Sequence, residues 1–210
     1  MESTFLLIVE IIGTLAFAIS GIRLAAVKKF DWFGAYIVGL VTAIGGGTIR
    51  DLFLSTTPFW MLNNWYLVVT AIALILVIIF KKFLVRLDHT VFIFDTIGLA
   101  LFMVIGMQKS LDFGFPMWVA IIMGTITGAF GGVLRDILIN EEPLIFRKEV
   151  YATACIAGGL SYWLIHFFGG STMLQQITCA GIIILIRALS VIYNWRLPVL
   201  GNDNNNSSND

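Results

Sequence analysis

The chain has 210 residues, of which 59 % are apolar and 12 % charged, and its 13 Lys and Arg balance its 13 Asp and Glu. A mean hydropathy of +0.93 lies outside the range of soluble domains, so lipid rather than water is the expected main solvent. With no net charge there is no field to gather a polyanion, which excludes a nucleic-acid partner.

Seven apolar stretches of near-spanning length follow one another, over 5–23, 32–54, 65–80, 91–108, 116–139, 150–168 and 173–193. Met1-Glu2-Ser3-Thr4 lacks the basic region of a signal peptide, so the first stretch is expected to remain as a membrane helix. Trp32, Trp60, Trp65, Trp118, Trp163 and Trp195 fall mostly near the ends of these stretches, where amphipathic rings favour the headgroup layer. Cys155 and Cys179 lie inside apolar stretches without CxxC spacing or a histidine cluster, and read as packing residues. The end of the chain from Gly201 to Asp210 is Asn, Asp, Ser and Gly, has no apolar residue to bury and is expected to be disordered.

Joining the stretches in order places Arg23, Lys28, Lys29, Lys81, Lys82, Arg86, Arg147, Lys148 and Arg196 on one side of the bilayer and Lys109 alone on the other. The basic side is expected to be cytoplasmic, which puts the N-terminus outside and the C-terminus inside. Glu141-Glu142-Pro143 and Arg147-Lys148-Glu149 form a charged connection after the fifth stretch, a solvated loop whose basic residues can meet anionic lipid.

The second and fifth stretches share a motif. Thr42-Ala43-Ile44-Gly45-Gly46-Gly47-Thr48-Ile49-Arg50-Asp51 resembles Thr127-Gly128-Ala129-Phe130-Gly131-Gly132-Val133-Leu134-Arg135-Asp136, and the two lie 85 residues apart. The same offset, without a gap, pairs Glu10 with Asp95, Gly13 with Gly98, Phe17 with Phe102, Gly21 with Gly106, Gly39 with Gly124, Pro58 with Pro143 and Tyr66 with Tyr151. Each copy holds three helices, an odd number, so the second must enter the bilayer from the opposite side. The expected fold is therefore an all-α membrane protein: seven transmembrane helices in two inverted three-helix repeats, 1–86 and 87–171, with one further C-terminal helix over 172–196 and the tail 197–210. Such folds hold their sites near the midplane, between the repeats.

Gly45, Gly46 and Gly47, and Gly131 and Gly132, sit near the middle of their helices. The expectation is a break in each, which frees backbone groups toward a cavity; the other reading is close packing through small residues, expected for Gly158 and Gly159. Carbonyls exposed near Thr42 and Thr127 would suit a cation, and the start of the following half-helix a carboxylate, so the residues leave a cation and an amino acid both open. Arg50-Asp51 and Arg135-Asp136 come about one turn later. A charge in hydrocarbon costs about 2.5–3.5 kcal/mol on insertion scales, and neighbours along a helix do not face each other, so each arginine should look to another helix. Depth pairs Glu10 with Arg50 and Asp95 with Arg135, as structural or gating ion pairs, and leaves Asp51 and Asp136 nearer the permeation route. Arg187, in the last helix, either snorkels toward Trp195 or sets a positive potential in the inner vestibule. His166 reads as interfacial.

There is no phosphate-binding loop, because Gly45-Gly46-Gly47 lacks the following Lys-Ser/Thr, and no nucleophile set or metal-ligand motif, so neither an enzyme nor a cofactor is expected. The doubled glycine-arginine-aspartate motif, the equally spaced Pro58 and Pro143, and Arg147-Lys148-Glu149-Val150-Tyr151-Ala152 resemble a prokaryotic member of the trimeric intracellular cation channel family, whose bacterial sequences are also described as a glycine-transporter-like domain family. The resemblance covers nearly the whole chain. It implies a homotrimer in the cell (inner) membrane, with a potassium-permeable pore in each subunit flanked by kinks at Gly45 to Gly47 and at Gly131 and Gly132. The expected function is passive conduction of monovalent cations, potassium before sodium, by dehydration at polar oxygens; the alternative is secondary transport of glycine or another small zwitterion. Membrane lipid is the other expected partner, and no metal beyond transient K+ or Na+.

Overall fold

The computed structural model describes residues 2–80, 90–146 and 150–195. Lys81, Lys82, Arg86, Arg147, Lys148, Glu149, Arg196 and the tail to residue 210 lie outside the described residues. Among the described residues seven long helices run in order: α1 Glu2–Val27, α2 Trp32–Phe53, α3 Trp65–Ile79, α4 Thr90–Asp112, α5 Met117–Leu138, α6 Ala152–Phe167 and α7 Thr172–Ile192. A one-turn helix, Phe59–Leu62, follows α2, and a 3-10 turn, Leu144–Phe146, follows α5.

The chain is an all-helical membrane protein. Of the long helices, α1, α2, α4, α5 and α7 are both long and apolar enough to span a bilayer. With 15 and 16 residues, α3 and α6 are apolar but reach only about 22–24 Å at 1.5 Å per residue. Large apolar side chains face outward along the bundle, among them Ile8, Phe33, Leu52, Ile75, Trp118 and Phe167, a surface that only lipid or another apolar partner can cover.

Local chemistry sets the helix ends. The Asp31 carboxylate accepts from the Gly34 N–H at 2.7 Å and starts α2, and Ser171 does the same for α7 through Leu174. Left-handed residues close the helices: Lys29 (φ 61°) and Gly114 (φ 78°) after α1 and α4, Ser55 (φ 55°) and Asn140 (φ 57°) after α2 and α5. Both pairs are 85 residues apart, so the turns recur with the same spacing as the motifs.

Packing recurs with it. The rings of Phe17 and Phe102 stack 5.4 Å apart and 6° from parallel between α1 and α4, Phe17 lying on Gly98 and Phe102 on Gly13. Between α2 and α5, a methyl group on Gly46 would run into the Thr127 carbonyl oxygen, and one on Gly131 into the Thr42 carbonyl oxygen. Here the structure corrects the expected breaks: α2 continues through Gly45, Gly46 and Gly47, and α5 through Gly131 and Gly132, as unbroken helices. The glycines bring the two backbones together, the small-residue packing that also applies at Gly158, which lies against Ile183 and the Cys179 carbonyl.

Substituting alanine at Gly46 or Gly131 is expected to lower stability in detergent by about 1–3 kcal/mol through overpacking against a carbonyl that cannot move aside. Gly181→Ala, where a methyl meets nothing within 4 Å, is the control and should hold or slightly raise the unfolding midpoint, since alanine is favoured over glycine inside a helix.

Candidate functional site

Two cavities enter the bundle from opposite ends. One, of about 320 Å³, is lined by Glu10, Arg50, Phe59, Tyr66, Gln108, Lys109 and Asp112 among others. The other, of about 190 Å³, is lined by Leu24, Lys28, Arg135, Asp136, Glu141 and Leu144 among others. Glu10 and Leu24 belong to the same helix and are separated by about 21 Å along it, at 1.5 Å per residue. Between the two ends lie the Phe17–Phe102 stack and the glycine crossing of α2 with α5.

Each cavity has a buried arginine in its wall. In the first, the Arg50 Nε and Nη2 donate to Asp51 Oδ1 at 2.8 and 2.7 Å, Lys109 Nζ reaches the same oxygen at 2.8 Å, and Asp51 Oδ2 accepts from the Phe59 N–H at 2.8 Å. In the second, Arg135 Nε donates to Asp136 Oδ1 at 2.8 Å, and Asp136 Oδ2 accepts from the Leu144 N–H at 3.1 Å. Each Arg therefore pairs with the Asp that follows it, against the expectation for neighbours on a helix. The reason is position: these residues occupy the last turn of α2 and of α5, where the carboxylate is free to turn and tie down the backbone eight residues on, and the long guanidinium stem curls after it.

The expected pairing of each arginine with an acid of another helix is formed at one end only. Arg135 Nη1 donates to Asp95 Oδ1 at 2.6 Å and to Ser20 Oγ at 2.8 Å. The expected Glu10–Arg50 pair is not made: Glu10 accepts from the Tyr66 hydroxyl at 2.7 Å, and Arg50 is held by Asp51 and the face of the Phe59 ring, 5.4 Å from its centre. One methylene accounts for part of this difference. Glu10 reaches its tyrosine, whereas the shorter Asp95 leaves the hydroxyl of Tyr151, the counterpart of Tyr66, without a hydrogen bond among the described residues.

Arg187 is buried beside Asp95, with Nη2 3.5 Å from Oδ2, Nε 3.3 Å from the Thr96 hydroxyl and its guanidinium over the rings of Phe92 and Tyr151 at 4.7 and 4.8 Å. It neither snorkels toward Trp195 nor lines either of these cavities. Thr42 and Thr127 are likewise enclosed; their hydroxyls donate to the carbonyls of Val38 and Met123, each at 2.6 Å, while Gly45, Gly46 and Gly131 fill the crossing, Gly47 lies under the Phe59 ring and Gly132 under the Tyr151 hydroxyl. Asp51 is fully buried and Asp136 nearly so, with both oxygens of each taken by donors of the chain.

Sequence reasoning missed several residues of the cavity walls. Gln108 ties the first cavity to the last two helices, its Oε1 accepting from Tyr162 Oη at 3.2 Å and Gln176 Nε2 at 3.0 Å while its Nε2 donates to Asp112 at 2.8 Å. Lys28 pairs with Glu141 across the second at 2.5 Å. For Lys109 the signal was present: it is the one basic residue that joining the stretches put on the side opposite the others, and it stands where the 85-residue offset puts Leu24 in the other copy.

A sequence model of the family described as Glycine transporter matches the chain twice, over residues 7–82 and 92–167. The chain is 40 % identical to a UPF0126 membrane protein of Vibrio cholerae, covering 94 % of this chain and 84 % of the relative. It is 38 % identical to the UPF0126 inner membrane protein YadS of Escherichia coli, over 93 % and 96 %. Among solved structures it is similar to the TRIC trimeric intracellular cation channel orthologue from Rhodobacter sphaeroides, with a TM-score of 0.86 and 32 % identity over 91 % of this chain and 99 % of that one. It is also similar to a prokaryotic TRIC channel crystallised in 0.5 M KCl, with a TM-score of 0.84 and 31 % identity over 93 % and 100 %. A trimeric intracellular cation channel from C. elegans with bound Ca2+ shares the fold, at a TM-score of 0.62 and 12 % identity over 88 % and 90 %.

The unequal pairing predicts unequal mutants. Arg135→Met leaves Asp136 without a cation and Asp95 with only the longer contact to Arg187, and is expected to cost about 3–5 kcal/mol, whereas Glu10→Gln keeps an acceptor for Tyr66 and should cost about 1 kcal/mol or less. Denaturant titration of the two variants in mixed micelles, read by far-ultraviolet dichroism, checks both.

Proposed function

We propose that this chain, which belongs to the UPF0126 membrane protein family and with it to the prokaryotic TRIC channels, is a monovalent cation channel that passes potassium through a pathway inside each subunit. The observation that carries the reading is the full-length likeness to solved cation channels at a level of identity that also marks common family membership. The two cavities supply the route. They approach one another from opposite ends of α1, and the packed residues between them, Phe17, Phe102 and the α2–α5 crossing, are what must separate for an ion to pass.

In this reading all seven long helices cross the bilayer, as two inverted three-helix repeats over 1–86 and 87–171 and a seventh helix over 172–196. The doubled family match and the recurrence of turns, stacks and glycine contacts at one offset support it. With the N-terminus outside, the Glu10 cavity is the outer mouth and the Arg135 cavity the inner one. The protein works as a homotrimer in the inner membrane, in contact with lipid. Glu10 and Asp112 outside and Glu141 inside draw cations to the mouths, and the arginines, each neutralised by an adjacent Asp, do not repel them across the wall. Thr42, Thr127 and the glycines act by letting α2 and α5 slide past each other on surfaces without interlocking side chains; once apart, they offer carbonyls to a partly dehydrated ion.

Protein reconstituted into potassium-loaded liposomes is expected to release potassium without valinomycin and to give unitary currents in planar bilayers. Concentrative glycine uptake in the absence of such currents would overturn the channel in favour of a carrier.

A further inference from the structure

The two ends of the bundle differ in what spans their cavities. The smaller cavity, about 190 Å³ against about 320 Å³, is crossed by an ion pair, Lys28 Nζ to Glu141 Oε1 at 2.5 Å, and both residues belong to its lining. Exposure orders that lining by depth. The Lys28 and Glu141 side chains are 39 % and 41 % exposed, whereas Arg135 and Asp136 in the same wall are buried, so one pair stands at the rim and the other on the floor. The 85-residue offset puts Phe113 and Thr56 in the equivalent places at the other end. Neither carries a charge: Phe113 is exposed, and the Thr56 hydroxyl donates back to the Asp51 carbonyl at 3.3 Å, so no equivalent ion pair can form there.

The backbones on either side of this bridge are anchored and only its side chains can swing. The Lys28 N–H donates to the Leu24 carbonyl at 3.1 Å and the Glu141 N–H to the Asp136 carbonyl at 2.8 Å, and a left-handed residue stands beside each, Lys29 (φ 61°) and Asn140 (φ 57°). Two long, half-exposed side chains on fixed backbones part by rotation about their own bonds, with no helix to move. An exposed pair biases an equilibrium by about five-fold at most, and salt screens it. That is too little to hold a fold and enough to bias an entrance. We propose that Lys28 and Glu141 form an ionic latch over the inner mouth, which closes the cavity to ions when joined and opens it when parted. Once parted, the Glu141 carboxylate meets the entering cation in place of the ammonium. This rests on the channel reading above and adds to it a regulation of the same pathway by ionic strength, at one mouth only.

The test is single-channel recording of the full-length protein in planar bilayers with symmetric KCl. Lys28→Gln and Glu141→Gln each remove one half of a half-exposed pair and bury no charge, so folding should hold. They change the local charge in opposite senses, yet both are expected to raise the open probability about two- to five-fold at low KCl. The gap should close as KCl rises, because salt parts the wild-type pair as well. A purely electrostatic effect of the two side chains on the passing ion would move the variants apart. Lys28→Cys with Glu141→Cys gives an independent arm: a bis-methanethiosulfonate long enough to span the pair should hold the channel shut, and dithiothreitol should reopen it. Cys155 and Cys179 are buried, so the wild-type protein serves as the reagent control. If the wild type conducts but the two glutamine variants match it or move in opposite directions, or if the bridged protein opens as before, the latch is wrong and the channel stands. If neither wild type nor variants pass potassium, the channel reading falls and takes the latch with it.

Discussion

The constraint on which the structure depends is the approach of two helix backbones in the middle of the bundle. At Gly46 and Gly131 there is no room for a methyl group, because each glycine lies against a carbonyl oxygen of the opposite helix. In lipid, helices gain little by exchanging apolar surface for apolar surface, so contact this close, with its dispersion and its Cα–H donors, supplies much of the association. It also fixes everything beside it. Once α2 and α5 cross at these residues, α1 and α4 are held so that Phe17 and Phe102 stack, and Arg50 and Arg135 are carried to opposite ends of the crossing.

That arrangement explains why buried charges are tolerated. Each arginine is brought to a helix end, where an adjacent aspartate can leave the helix surface and accept from the N–H of the next short turn, at Phe59 or at Leu144. A carboxylate held by a guanidinium and a backbone donor is satisfied on both oxygens, the condition under which a charge pair survives out of water. The same bonds pin the one-turn helix and the 3-10 turn beside the two cavities, so one device supports both the fold and the cavity walls.

Much of this was legible in the sequence. The long helices, the 85-residue correspondence and the Asp95–Arg135 pair follow from hydropathy, spacing and depth. The state of the glycines did not: a run of glycine weakens a helix and permits close contact, and only the partner surface decides between them. Thr127 and Thr42, each turning its hydroxyl back onto its own helix, decide for contact. The neighbouring Arg–Asp pairs were missed because the rule that adjacent residues diverge applies to helix interiors, and these sit in the last turn. The Glu10–Arg50 pair failed because Glu is longer than Asp by one methylene and finds Tyr66 instead.

The departures from symmetry are concentrated in the polar residues of the two mouths, while the centre keeps its equivalent contacts. This follows from what each region must do. At the crossing, Gly46 and Gly131 face each other's helices, so a change in one copy is felt at once by the other and the two are held alike. At the two ends the copies meet through long polar side chains, Lys109 on Asp51 and Arg135 on Ser20, which can change without moving a backbone. Glu10 and Asp95, Leu24 and Lys109 are free to diverge there, and the seventh helix adds Arg187 to the Asp95 end alone. The two ends of the bundle are thereby unequal: Lys109 reaches Asp51 beside one cavity, and a second arginine, Arg187, is buried against Asp95 at the other.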